Sequence, residues 1–238
     1  MFRFAVFSLA LALASVSHAA DPTLVGATFS RIFVPGGFDS NDHVQFVGEG
    51  MFRNTCYRPA PGAVSVNEEQ KTITVGAVAY EYKGFCLQVI LPFQRTVDVG
   101  ILKAGRYQVF QDNGRGQQAL GEINIRQSRS DAADDFMYAP ISQAFFKQNF
   151  AFSEVTLTGD FPTECMAMDH VKVTVEKDVI VLQPIAKLVN RPSCREGRFP
   201  FEQKVTIPSV APGRYLLHVR SMNGNAVNNL INVELNSH

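Results

Sequence analysis

Apolar and polar positions alternate along most of this chain in short stretches that keep restarting. Glu122-Ile123-Asn124-Ile125-Arg126, Val171-Lys172-Val173-Thr174-Val175 and Asn232-Val233-Glu234-Leu235 change character at every residue. A period of two puts successive side chains on opposite faces of an extended segment, so each predicts a half-buried β-strand. Thr28 to Val34 and Val44 to Val47 are apolar runs separated by the breaker Pro35-Gly36-Gly37. Lys71 to Tyr82 is rich in β-branched residues, with Tyr80 and Tyr82 in alternation. No segment carries a convincing helical period. Asn113-Gly114 and Asn223-Gly224 fall between predicted strands, and Asn-Gly favours a hairpin because both residues tolerate positive φ.

The pattern is written twice. Phe52-x3-Cys56, then Cys86-x5-Pro92-Phe93, Val97-x-Val99 and Leu102-x2-Gly105-Arg106-Tyr107 are followed in step by a second set. That set is Phe161-x3-Cys165, Cys194-x5-Pro200-Phe201, Val205-x-Ile207 and Val210-x2-Gly213-Arg214-Tyr215. Two homologous units of roughly 100 residues are predicted, a usual domain size. They span residues 21–127 and 136–238, joined by a polar connector at 128–135. About seven short strands in each, punctuated by turns, predict an all-β chain of two tandem antiparallel β-sandwiches of Greek-key type.

The first twenty residues read as a signal peptide. Arg3 precedes an apolar stretch from Ala5 to Val16, and Ser17-His18-Ala19 places small residues for cleavage near Ala19/Ala20. A membrane anchor needs about 20 apolar residues, so no integral membrane association is expected. The protein is predicted to be periplasmic or secreted. Four cysteines in an exported chain then read as disulfides. Three pairings are open, and the repeat favours Cys56–Cys86 with Cys165–Cys194, because a bridge between units would break the equivalence of the copies. Each would stabilise its unit by roughly 3.5 kcal/mol through loop closure. Zinc is disfavoured by the absence of close C-x2-C spacing.

Leu102-Lys103-Ala104-Gly105-Arg106-Tyr107-Gln108-Val109, with its counterpart from Val210 to Val219, resembles the entry into the penultimate strand of bacterial secreted immunoglobulin-like and fibronectin-like domains. The resemblance implies Ig-like sandwiches and a corner role for Tyr107 and Tyr215, each hydroxyl bonding back to upstream backbone. Two features depart from that pattern. The chain has no tryptophan, and no cysteine lies in the strand after Gly-Arg-Tyr. The disulfide should therefore tie a loop near one pole of each sandwich.

Charge narrows the partners. Basic and acidic residues number 22 each, and losing the leader removes only Arg3 among them. A near-neutral mixed surface argues against nucleic acid, which calls for a basic face. No catalytic elbow, metal-binding His pair or phosphate loop occurs, and no cofactor is implied. His43, His170, His218 and His238 read as surface or strand-edge residues. The loop holding Asp39, Asn41 and Asp42 offers hard oxygen ligands suited to calcium. The same residues commonly bond their own turn instead. Phe136-Met137-Tyr138, Phe145-Phe146, Phe150 and Phe152 read as core and inter-unit packing, with an exposed partner groove as the alternative. The function expected is a non-catalytic exported binding or structural module, acting on another exported or cell-surface protein. A periplasmic chaperone or assembly factor is the alternative, although the basic pair of fimbrial chaperones is missing. A hydrolase or protease inhibitor comes third.

Overall fold

The computed structural model describes residues 21–112, 116–130, 134–149 and 152–235. The expected leader, the Asn113-Gly114 turn, residues 131–133 of the connector, Phe150 and His238 lie outside them.

Unit one places β2 (Phe29–Phe33), β3 (His43–Phe52) and β8 (Leu91–Ile101) in one sheet, ordered β2-β3-β8. Opposite it, β5 (Val64–Asn67), β6 (Thr72–Val75), β9 (Gly105–Asp112) and β10 (Gln117–Ile125) form β10-β9-β6-β5. A smaller sheet, β1-β7-β4, joins β1 (Thr23–Ala27), β4 (Tyr57–Ala60) and β7 (Ala77–Glu81). The β-branched stretch from Lys71 to Tyr82 forms two strands, β6 and β7. The break lies at Gly76, facing Pro61-Gly62, where Arg95 donates to the carbonyls of Gly76 (3.1 Å) and Gly62 (2.7 Å).

Unit two is simpler. β11 (Ile141–Gln148), β12 (Ser153–Thr163) and β15 (Glu196–Ile207) face β13 (Met166–Glu176), β14 (Val179–Leu188), β16 (Gly213–Arg220) and β17 (Ala226–Val233). Their orders are β11-β12-β15 and β13-β14-β16-β17. The expectation of wholly antiparallel sheets is corrected in both units. β6 runs parallel to β9, and β14 parallel to β16, because β8 or β15 crosses to the opposite sheet between them. In the constant-type Ig arrangement neighbouring strands all pair antiparallel.

The copies share detailed packing. Phe52 stacks on Phe93 at 4.2 Å, and Phe161 on Phe201 at 4.3 Å. A Cβ at Gly50 or Gly159 would collide with the carbonyl of Thr28 or Pro140, where the first strand crosses closely. Buried polar side chains satisfy the backbone beside that crossing. Gln111 Oε1 accepts from Phe29 N (2.9 Å), and Ser221 Oγ accepts from Ile141 N (2.8 Å). Asn223 and Gly224 take φ of 62° and 69° in the β16–β17 turn.

Each sandwich has its own apolar core, and a third cluster joins them. Phe33 and Val47 from the outward face of β2-β3 pack on Val179, Val181 and Leu216 from the outward face of β14-β16, with Leu230 beside them. Ile180, Leu182, Leu217 and Val219 alternate with these and point into the unit-two core. β14 and β16 are buried on both faces. Four of the five sheets stack with apolar side chains in all three gaps, and the fifth, β1-β7-β4, adds Ala77 and Ala79 to the unit-one core.

Candidate functional site

Polar groups surround the central cluster. Glu49 on β3 is buried between Arg31 (3.1 Å) and Arg214 of unit two (2.6 Å). Arg214 belongs to the repeated Gly-Arg-Tyr triplet, whose other copy, Arg106, meets the exposed Glu122 at 3.7 Å. His218 donates from Nδ1 to Asn228 Oδ1 (2.7 Å), and Asn228 in turn donates to Gln45 (3.2 Å). The expectation of a surface histidine fails at His218, which is 2% exposed because β16 lies between two layers. Burial drives its pKa down to about 4, so the ring is neutral at ordinary pH. His43, facing Asp98, and His170, facing Asp169, do lie at the surface.

The loop considered for calcium closes this seam. Asp42 is buried and paired with Arg220 of unit two at 3.2 Å, and it also accepts from Asp39 N (2.9 Å). Asp39 Oδ1 accepts from Asn41 N at 3.0 Å, a turn bonded to its own backbone, while Asn41 Nδ2 donates to Ser130 O at 2.6 Å. The three residues are brought together, but as a clamp on Arg220 and the connector. Among the described residues no three His, Cys, Asp or Glu side chains gather as a metal set. Burial holds the carboxyls of Asp42 and Asp134 above the usual range, with Arg220 countering. Arg220 also lies over Phe38 and Tyr138, at 5.4 and 5.9 Å from the ring centres. A polar cleft of about 440 Å³ opens along the seam beside Arg129, Lys172, Glu176 and Tyr138. Its cations and carboxylates are balanced.

Tyr107 and Tyr215 are buried at their corners. Their hydroxyls lie 3.0 and 2.9 Å from the carbonyls of Lys103 and Ala211, each four residues upstream. Tyr107 additionally meets Glu68 and accepts from Lys71 (2.9 Å), and the Tyr107 contact is the chief reason the Glu68 carboxyl is lowered. The expected packing role holds for Tyr138 and Phe146. Phe136, Phe145 and Phe152 are exposed instead.

The bridges Cys56–Cys86 and Cys165–Cys194 are present, each with Cα atoms 5.4 Å apart. Two such disulfides point to an oxidising compartment, extracellular or periplasmic. Both tie the turn after β3 or β12 to the segment entering β8 or β15, at one pole of the sandwich. There the copies differ sharply. Unit two surrounds Cys194 with Arg191, Pro192, Ser193 and Arg195. Arg195 pairs with Glu164 (2.8 Å), and nearby Arg198 pairs with Asp160 (2.6 Å). Unit one surrounds Cys86 with Phe85, Leu87, Val89 and Ile90, exposed by 93, 57, 47 and 74%. Backbone contacts hold this segment outward: Thr55 N donates to Leu87 O (3.1 Å), and Leu87 N donates to Thr55 Oγ1 (3.0 Å). Met51 and Tyr82 are also exposed near this pole. A groove of about 440 Å³ lies beside them, between Gly26–Thr28, Met51, Arg53 and Tyr57. The sequence signal was the apolar run around Cys86 against the polar run around Cys194.

Residues 48–121, from the middle of β3 into β10, match the family model of the ORF11 beta-sandwich domain. The match covers Cys56, Cys86, the apolar segment and Tyr107. No curated protein matches the chain, and no solved structure does. No helix among the described residues is long and apolar enough to cross a membrane.

Proposed function

We propose that this is a non-catalytic exported binding module, made of two homologous Ig-like sandwiches fused into one body, with its recognition surface at the Cys56–Cys86 pole of unit one. The leader Met1–Ala20 would be removed on export. One observation carries the reading: Phe85, Leu87, Val89 and Ile90 stay exposed on a backbone pinned by a disulfide and by Thr55, where the other copy carries paired charges. Exposed apolar patches on a soluble body mark interaction sites. A fused, rigid body presents such a surface in one orientation, which lowers the entropic cost of binding.

The test is photo-crosslinking in the exporting cell. A photoreactive side chain at Leu87 is expected to give adducts with a protein or a lipid, and one at Arg195 none. Equal adducts from both positions, or none from Leu87, would sink the reading. A chaperone or assembly-factor role is the second reading. The 11-residue strand β8 favours it, since no strand pairs with its outer edge among the described residues. Co-purification of a stoichiometric subunit whose binding survives substitution of Phe85 and Ile90 would select it.

A further inference from the structure

We infer that the unit-one pole docks on an anionic lipid surface, inserting the Phe85–Ile90 segment among the acyl chains. This rests on the pole being the recognition surface and names what it recognises. Shape comes first. Phe85 and Ile90, at 93 and 74% exposed, stand out from the fold rather than line its groove. A partner protein would need a matching cavity to cover them, whereas a bilayer surface accepts any convex apolar tip.

Charge is the second observation. Lys83 is two residues before Phe85 in the same segment. Arg58 donates to the carbonyls of Thr55 (3.0 Å) and Tyr57 (2.8 Å), which puts its guanidinium beside the residue that pins Leu87. Arg53 lines the adjoining groove and has no acid paired with it among the described residues. Glu81 on the same edge accepts from the Tyr57 hydroxyl at 2.6 Å and keeps its charge, and Asp21 precedes β1, whose Thr23 pairs with Glu81; Lys83, Arg53 and Arg58 outnumber these two acids. Cations around an apolar tip suit anionic headgroups, and a long basic side chain can lay its stem along the apolar surface with its charge in water.

Rigidity is the third. The tip is tied by Cys56–Cys86 and by the Leu87–Thr55 contacts, so little chain ordering opposes insertion. The corresponding end of unit two has Arg195 and Arg198 in ion pairs with its own acids and, among the described large apolar residues, Leu188 alone exposed nearby, and it should not insert.

The test uses the full chain without its leader and vesicles of phosphatidylglycerol with phosphatidylcholine, against phosphatidylcholine alone. The chain lacks tryptophan, so Phe85→Trp places a single indole at the tip. Its emission should shift to the blue with anionic vesicles, and the protein should float with them. Phe85→Ser with Ile90→Ser should reduce the partition coefficient at least tenfold with an unchanged melting curve. Arg53→Glu with Lys83→Glu should reduce it by more than about fivefold per residue, since each cation lost weakens binding by that factor before any repulsion is added. Leu188→Ser should change nothing. An unshifted indole without flotation, or flotation unaffected by the serine pair, overturns the lipid assignment. If vesicles fail while Leu87 still crosslinks to a protein, only the lipid assignment falls. If neither occurs, the recognition surface itself is wrong.

Discussion

Two sets of apolar side chains lie outside the two sandwich cores, and they meet different ends. Val179, Val181 and Leu216, on the outward face of unit two, are covered by Phe33 and Val47 of unit one. Phe85, Leu87, Val89 and Ile90, at the pole of unit one, are covered by nothing in the described chain. The first set shows what the second lacks. An apolar surface that found its partner within the chain became an interface, edged by the Asp42–Arg220 and Glu49–Arg214 pairs. One that did not stays exposed, and it is the surface proposed for a partner.

The seam can be broken most severely at its buried charge. Arg220→Ala leaves the buried Asp42 without its counter-ion and should cost about 3–5 kcal/mol in urea unfolding. Leu216→Ala should cost about 2–5 kcal/mol, because it opens a cavity in the joining cluster. Removing a large side chain from the uncovered set, as in Phe85→Ala, should cost almost nothing. A Leu216 variant that left stability unchanged would mean the seam is not a packed interface.

The pH response sharpens the same point. His218 titrates near 4 in the fold and near 6.5 unfolded, so the unfolded chain takes up a proton that the fold refuses. Stability should be complete above pH 6.5, fall as pH drops to about 4, and level off below. The slope is about 1.4 kcal/mol per pH unit and the total about 3 kcal/mol. Asp42 acts in the opposite sense, since burial raises its carboxyl and the fold favours its protonated form. The difference between wild type and His218→Gln isolates the imidazole, and equal pH slopes would contradict its burial. A smaller loss than at His218 is expected at the corners. Tyr215→Phe should cost about 1 kcal/mol by calorimetry, for one hydrogen bond to Ala211.

Much of the fold was legible in the chain because the repeat states it twice. The matched cysteines, the Gly-Arg-Tyr strands and the Asn223-Gly224 turn all lie where local pattern puts them. The stacking of the two sandwiches does not follow from the repeat, because each copy by itself completes a sandwich. Its signal was present. Val179-Ile180-Val181-Leu182 is an unbroken apolar run where the unit-one copy, Thr72-Ile73-Thr74-Val75, alternates, and an unbroken run marks a strand buried on both faces. The burial of His218 follows from the same two-sided cover on β16. The Asp39–Asp42 loop was ambiguous because local sequence does not show that Arg220, far along the chain, arrives beside it. Parallel pairing of β14 with β16 depends on the crossover through β15 and leaves no mark in the period-two pattern.

If the pole of unit one is the recognition surface, it is covered in its native setting while Phe145 and Leu188 are not. Hydroxyl-radical footprinting of the purified protein and of the protein in intact exporting cells tests it most directly. Phe85, Leu87 and Ile90 should be oxidised in the purified protein and protected in cells, with Phe145 and Leu188 oxidised equally in both. Equal oxidation of Phe85 in the two settings would contradict the account.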